Sequence, residues 1–224
     1  MDAATTKARR LDRKIESRLA LTDPALSRVI DAVVARIGIQ RIPPSRATPF
    51  EALVRAIVYQ SISGAAAATV FARFKEDLGA RLTPETVAAR RLPSLTKAGL
   101  SGGKARTIRR VAAWFISNPE LAKELAKLSN EEIFEVLTAL PGVGAWTVEV
   151  LLIFNLGRLD ISPTADHSIR RGVTLAYGLR ALASAREVAD RSTAWQPYRS
   201  IAAIYLRQAA KLKLSRGDLK RRKT

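Results

Sequence analysis

Few side chains in these 224 residues could do covalent or metal chemistry, and the shortage is informative. There is no cysteine, and His167 is the single histidine. Thiol nucleophiles, iron–sulfur clusters, cysteine zinc sites and disulfide scaffolds are thereby excluded. A zinc site would need an unusual set of carboxylates, and a Ser-His-Asp arrangement could use only that one ring. What remains is carboxylate chemistry beside a large excess of cations: 38 Lys plus Arg against 20 Asp plus Glu, a formal charge of +18. Such a surplus implies a polyanionic partner. Two segments concentrate the residues of interest. In Leu140-Pro141-Gly142-Val143-Gly144-Ala145-Trp146-Thr147, two glycines flank one apolar residue between helical stretches. The glycines permit a tight turn with positive φ, Val143 can plug the angle between the helices, and the N–H groups opening the second helix offer a site for a phosphate oxygen. In Leu159-Asp160-Ile161-Ser162-Pro163-Thr164-Ala165-Asp166-His167, an acidic residue stands at a helix start. Taken alone, that Asp reads as an N-cap and the Gly-Val-Gly as a plain helix–helix turn.

The elements that must hold these segments read as helices, and alternating β-branched stretches are absent, so the chain is expected to be all-α. Asp23-Pro24 opens a helix with Leu26, Val29, Ile30, Val33 and Ile37 at helical spacing, ended by Gly38. Thr48 with Glu51 predicts a capping box, as do Ser129 with Glu132 and Ser184 with Glu187. Ser63 is placed to cap an alanine-rich helix running to Gly79, and Thr83-Pro84-Glu85 opens another. One helix is expected to close at Ala139 and the next to run through Leu156. A hydrophobic fraction of 47 % with 26 % charged residues suits one domain or two small lobes with a real core. No apolar run is long enough to span a bilayer and the first residues contain no apolar signal region, so a cytoplasmic protein without a membrane partner is expected. The stretch from Arg207 to Lys223 is expected to be a solvated or phosphate-touching tail.

The Leu-Pro prefix, the flanking helices and the charge together favour a helix-hairpin-helix gripping DNA backbone. With the Pro…Asp loop downstream, the sequence resembles the helix-hairpin-helix, Gly/Pro…Asp superfamily of DNA base-excision glycosylases. The 20-residue separation of Trp146 and Asp166 is similar to that of its 3-methyladenine DNA glycosylase II branch. Two more segments carry the resemblance: Phe50-Glu51 through Val54-Arg55-Ala56-Ile57 to Gln60-Ser61-Ile62-Ser63, and Trp195-Gln196-Pro197-Tyr198-Arg199-Ser200. Together they cover about residues 48 to 210.

The resemblance implies two helical lobes with an interlobe cleft: a central bundle over 48–160 ending in the hairpin, and a second lobe formed by 1–47 and 161–224. It implies that Asp166 is the catalytic carboxylate. An N-glycosidic bond breaks through an oxocarbenium-like sugar that a carboxylate can stabilise while orienting water. A purine methylated at N3 or N7 already carries positive charge and needs no acid to leave. In the bifunctional relatives a Lys holds the hairpin position of Trp146 and attacks the sugar; an indole cannot, so a monofunctional enzyme is expected. Trp146 is expected to stack on an electron-poor base, with Tyr59, Trp195 and Tyr198 as further pocket walls or, alternatively, core residues. The DNA-binding set comprises Gly142, Val143, Gly144 and Thr147 of the hairpin, Gln60, Ser61 and Ile62 of the loop that supplies the family's wedge, and Gly102, Lys104 and Arg170. Ser61 stands where a bulky Leu is typical, which leaves Ile62 or another segment to fill the gap. The expected partner is double-stranded DNA containing alkylated bases, bound by a monomer, with no organic cofactor and, in this family, room for a monovalent cation on the hairpin carbonyls. Two alternatives stay open: a glycosylase for uncharged damaged bases such as hypoxanthine or 8-oxoguanine, and a non-catalytic DNA-binding protein.

Overall fold

Capping chemistry cuts the chain into its helices. In a computed structural model, which describes residues 3–79 and 81–219 with side chains from residue 13 onward, thirteen α-helices and no strands form among the described residues. They are α1 (Ala3–Thr22), α2 (Pro24–Ile37), α3 (Pro49–Tyr59), α4 (Gly64–Leu78), α5 (Pro84–Ala88), α6 (Leu92–Thr96), α7 (Gly102–Ser117), α8 (Pro119–Glu124), α9 (Asn130–Thr138), α10 (Ala145–Phe154), α11 (His167–Ala176), α12 (Ala185–Ser192) and α13 (Arg199–Lys211). The fold is all-α, as the sequence pattern requires. Among the described residues no helix is long and apolar enough to cross a membrane.

Most start and stop signals act as expected. Asp23 Oδ1 accepts the N–H groups of Ala25 and Leu26 at 2.9 and 3.0 Å, and Gly38 (φ +77°) ends α2. Reciprocal boxes form at Ser129 and Glu132 and at Ser184 and Glu187. At α3 the box is only half made. Thr48 accepts the N–H of Glu51, but the Glu51 carboxylate turns to Lys75 Nζ at 2.9 Å, because an ion pair with a neighbouring helix outbids the N-cap N–H. Helix α10 ends at Phe154, two residues short of the expected Leu156.

The chain divides into two compact units, one made of residues 1–43 and 158–224, the other of residues 44–157. The first is built on α13, where every residue from Ser200 to Leu206 is buried, so two turns of the helix are covered on all sides and sit at a centre. Gly172 lets α11 approach it: a Cβ there would lie 2.4 Å from the carbonyl oxygen of Leu206. The stretch after α13 packs rather than floats. Leu214 and Leu219 are buried, and Asp218 accepts the N–H and hydroxyl of Ser215 at 2.7 Å, while the cations Lys211, Lys213 and Arg216 stay exposed as expected of a solvated stretch. The remaining basic residues, Lys220, Arg221, Arg222 and Lys223, lie outside the described residues. The second unit is centred on α3 and α10. Phe50, Leu53, Val54 and Ile57 are buried on one, Val148, Leu151 and Leu152 on the other.

Candidate functional site

The hairpin lies in the second unit, between α9 and α10. Val143 is 4 % exposed and fills the angle between the helices, its N–H closing the turn onto Leu140 O at 2.9 Å. Only one of the two glycines uses its conformational freedom. Gly142 sits at φ +96°, whereas Gly144, with φ −97° and ψ 172°, is extended backbone and serves as N-cap of α10. The carbonyl of Gly144 accepts the N–H groups of Thr147 and Val148, and the exposed N–H groups of Gly144 and Ala145 meet no acceptor among the described residues. They face outward at a helix N-terminus, the place where a phosphate oxygen is favoured.

Three side chains brace this turn from behind. Gln60, the C-cap of α3, donates its amide to Gly142 O at 3.2 Å and to Thr147 Oγ1 at 2.8 Å. Lys104 donates from Nζ to Val58 O (2.8 Å) and Gln60 O (2.7 Å), satisfying the last carbonyls of α3 where the helix dipole favours a cation; partial burial pulls its pKa below the usual lysine value. Thr107, buried on α7, reaches Gly103 O (3.1 Å) and Pro141 O (3.4 Å). Three members of the expected DNA-facing set thus have a bracing role in this structure. Thr147 is 1 % exposed, and the Gln60 amide nitrogen, Lys104 Nζ and Thr147 Oγ1 hold α3 and the hairpin in one arrangement. Long polar side chains beside a glycine turn can reach either solvent phosphates or nearby carbonyls, and spacing along the chain does not distinguish the two. Gly102, at the start of α7, is exposed, as are Ser61 and Ile62 in the loop after α3. Ser61 adopts a left-handed φ of +55° and Ile62 is 41 % exposed. Trp146 is half-buried in the first turn of α10, and Tyr59 is half-buried with the guanidinium of Arg55 over its ring at 5.1 Å.

Asp166 lies in the first unit. It is the N-cap of α11, 8 % exposed, with Oδ1 accepting the N–H groups of Ser168 (2.8 Å) and Ile169 (3.1 Å). These bonds cap the helix and fix the rotamer of the carboxylate. Two tight turns lead into it, Thr164 N–H to Ser162 O at 2.9 Å and Asp166 N–H to Pro163 O at 3.2 Å.

The start of that loop is strapped to α13. Arg199 donates Nε to Asp160 Oδ1 (2.7 Å) and its terminal nitrogen to Asp160 Oδ2 (2.9 Å) and Asp160 O (3.0 Å). Ser200 donates its hydroxyl to Arg158 O (2.7 Å), accepts the N–H of Ile161 (3.0 Å) and donates its own N–H to Leu159 O (3.0 Å). Asp160, Arg199 and Ser200 are thus positioning residues with no local signal in the sequence for that role, although Arg199 and Ser200 close the late Trp…Arg-Ser segment.

That segment otherwise serves the core. Trp195, expected as a pocket wall, is 1 % exposed and donates its indole N–H to Asp23 Oδ2 at 2.7 Å, the packing alternative. Tyr177 donates its hydroxyl to the same oxygen. Tyr198 is half-buried and opens α13, and Arg170, expected on phosphates, donates Nε to Ala183 O at 2.5 Å.

Residues 54–197 match the HhH-GPD superfamily of base excision DNA repair proteins. The chain is 38 % identical over 167 residues to DNA-3-methyladenine glycosylase 1 of Schizosaccharomyces pombe, which covers 73 % of each chain. It is 33 % identical over 186 residues to alkylbase DNA glycosidase-like protein mag2 of the same yeast, across 81 % of this chain and 87 % of the relative. Among solved structures, the S. pombe 3-methyladenine DNA glycosylase Mag1 in complex with abasic DNA superposes with a TM-score of 0.79 at 33 % identity, over 88 % of this chain and 97 % of that one. A DNA-3-methyladenine glycosidase from Bacillus halodurans gives a TM-score of 0.71 at 31 % identity, over 88 % and 90 %. The family match spans both the braced hairpin and the loop that presents Asp166, and the chain belongs to the HhH-GPD superfamily of base excision DNA repair proteins.

Proposed function

We propose that this protein is a monofunctional DNA glycosylase that removes alkylated purines, 3-methyladenine and 7-methylguanine among them, from duplex DNA. The observation that carries the reading is Trp146: the first turn after the hairpin presents an indole and no amine, while a capped carboxylate, Asp166, is held rigidly in the Pro…Asp loop. Relatives named as 3-methyladenine glycosylases, and one bound to abasic DNA, support it.

Without an amine there is no Schiff base, and the reaction stops at the abasic site. The base leaves the helical stack at a cost of a few kcal/mol, which an inserted side chain offsets; exposed Ile62, next to left-handed Ser61, is the bulky residue of the loop available for that. Trp146 stacks on the cationic purine ring, an attraction a neutral base does not share. The alkylated base departs with the bonding electrons and becomes neutral. Asp166 stabilises the positive charge left on the sugar and orients the water that adds to it. The hairpin N–H groups hold the backbone. A monovalent cation, where bound, would use the remaining lone pairs of the Leu140, Pro141 and Gly142 carbonyls, each of which already accepts one donor, and would add a positive charge beside a phosphate.

The test is base release from methylated duplex DNA. Wild-type protein should liberate 3-methyladenine or 7-methylguanine and leave an uncleaved abasic strand, and Asp166→Asn should bind the duplex while releasing at least about a hundredfold less base, the scale of one lost electrostatic stabiliser. Full activity in that variant would sink the mechanism, and release of hypoxanthine or 8-oxoguanine in preference to methylated purines would sink the substrate class.

A further inference from the structure

Helix α7 keeps three arginines on one solvent-facing side and no acidic residue anywhere along its 16 residues. At about 100° per residue, Arg106, Arg109 and Arg110 fall within an arc of about 100°. All three are exposed, while Ala105, Ile108, Val111, Ala112 and Phe115 occupy the buried side. Among the described residues none of the three has a carboxylate or carbonyl partner. Some exposed cations of the same unit pair, Lys75 with Glu51, Lys123 with Glu120 at 2.6 Å and Lys127 with Glu124 at 2.5 Å, while others such as Arg73 and Arg81 do not among the described residues; what sets α7 apart is three such cations on one face beside the hairpin. Three like charges crowded at i, i+3 and i+4 repel one another, so the arrangement costs stability unless a polyanion lies against it.

The same helix is joined to the hairpin. Thr107, adjacent to Arg106 in the chain, contacts Pro141 O, and the hairpin backbone at Gly142 lies so close that a Cβ there would come within 2.0 Å of Thr107 Oγ1. Arg106 flanks that contact and Arg110 stands one turn further along, about 6 Å away.

We infer that the Arg106–Arg109–Arg110 face of α7 is a phosphate-tracking surface, which takes the backbone of the duplex flanking the nucleotide gripped by the hairpin. The assignment rests on the DNA reading above and extends it to a second, side-chain-based contact with a named partner, duplex DNA backbone. The hairpin holds its phosphate through N–H groups, whereas this face holds charge through guanidinium groups, and only the latter makes affinity depend on arginine number.

Counterion release separates it from a merely soluble surface, since log affinity falls with log salt by about 0.9 per phosphate neutralised. Binding of a short undamaged duplex is measured by fluorescence anisotropy across a salt series for wild type, Arg109→Gln with Arg110→Gln, and Lys123→Gln with Lys127→Gln. Both double variants lose two charges, but the second removes cations already paired with glutamates. The α7 variant should lower the slope by about 1.8 and weaken binding at low salt, while the Lys123/Lys127 variant should leave the slope near wild type. Equal slope changes in the two variants, or none in either, overturn the inference and leave the glycosylase reading standing. Failure of wild type to bind duplex at all overturns both. Far-UV circular dichroism and melting of the variants, whose changed side chains are exposed, exclude unfolding as the source of a lost slope.

Discussion

Gly142 tolerates no side chain for two separable reasons. Its φ of +96° is a conformation L-residues rarely adopt, and a Cβ would collide with Thr107 Oγ1 at 2.0 Å. The conformational part costs about 1 kcal/mol and the overlap about 1–3 more. Gly142→Ala should therefore lower stability by about 2–4 kcal/mol in denaturant unfolding. Adding Thr107→Ala, which takes away the hydroxyl and methyl that collide, should recover the overlap part and leave the conformational part; no recovery would mean that the turn had rearranged. Gly144, by contrast, is extended, and a Cβ there meets nothing within 4 Å, so what the motif needs at this position is an outward N–H. Two residues of the same type in one tripeptide thus serve different physical ends.

At the scale of elements, the Pro…Asp loop behaves as a strap-held segment with its carboxylate at the far end. The strap joins two parts of one unit that are about forty residues apart in sequence, through a bidentate ion pair between Arg199 and Asp160 and the three bonds of Ser200. Its worth for global stability is modest because the pair is partly exposed, and partly exposed pairs contribute about 1 kcal/mol or less. Its worth for geometry is larger, since displacing a catalytic group by about 1 Å can cost a hundredfold in rate. Lysine keeps the charge but not the two-pronged geometry. Arg199→Lys should slow single-turnover base release about ten- to a hundredfold, with duplex affinity unchanged and a melting temperature near wild type. A fall in affinity and melting temperature together, with the release rate kept, would assign Arg199 a general structural role instead. The capping boxes act one level lower, setting where α9 and α12 begin and hence how short the connections are.

At the scale of the whole molecule, charge and burial pull in opposite directions. The chain carries a formal charge of +18, yet a carboxylate sits in the core of the first unit: Asp23 is 6 % exposed and accepts bonds from the start of α2, from Trp195 and from Tyr177. Burial, and then the hydrogen bond to Asp23, push the Tyr177 phenol well above its ordinary pKa, so the folded state keeps this proton where the unfolded chain gives it up. The sign follows: the contribution is complete below about pH 10 and is lost as pH rises beyond it toward the folded-state pKa, because the unfolded state then binds fewer protons. Urea unfolding at several alkaline pH values should show stability falling above about pH 10, and Tyr177→Phe, though less stable at neutral pH for want of the bond, should show a shallower fall. An equally steep fall in that variant would place the titration elsewhere.

Local signals settled a large part of this protein. Helix starts at Asp23, Ser63, Ser129 and Ser184, stops at Gly38 and Gly79, the all-α class, the Val143 plug and the Asp166 cap all follow from interactions within four or five residues, which the sequence itself encodes. What only tertiary structure decided is where long polar side chains point. Lys104 turns to the end of α3, Gln60 to the hairpin, Glu51 to Lys75, and Trp195 to Asp23 across 172 residues. Each has several reachable partners and a spacing that suits either ligand or protein. The choice falls to whichever carbonyl or carboxylate packing brings within about 3 Å, and only the assembled fold sets that distance.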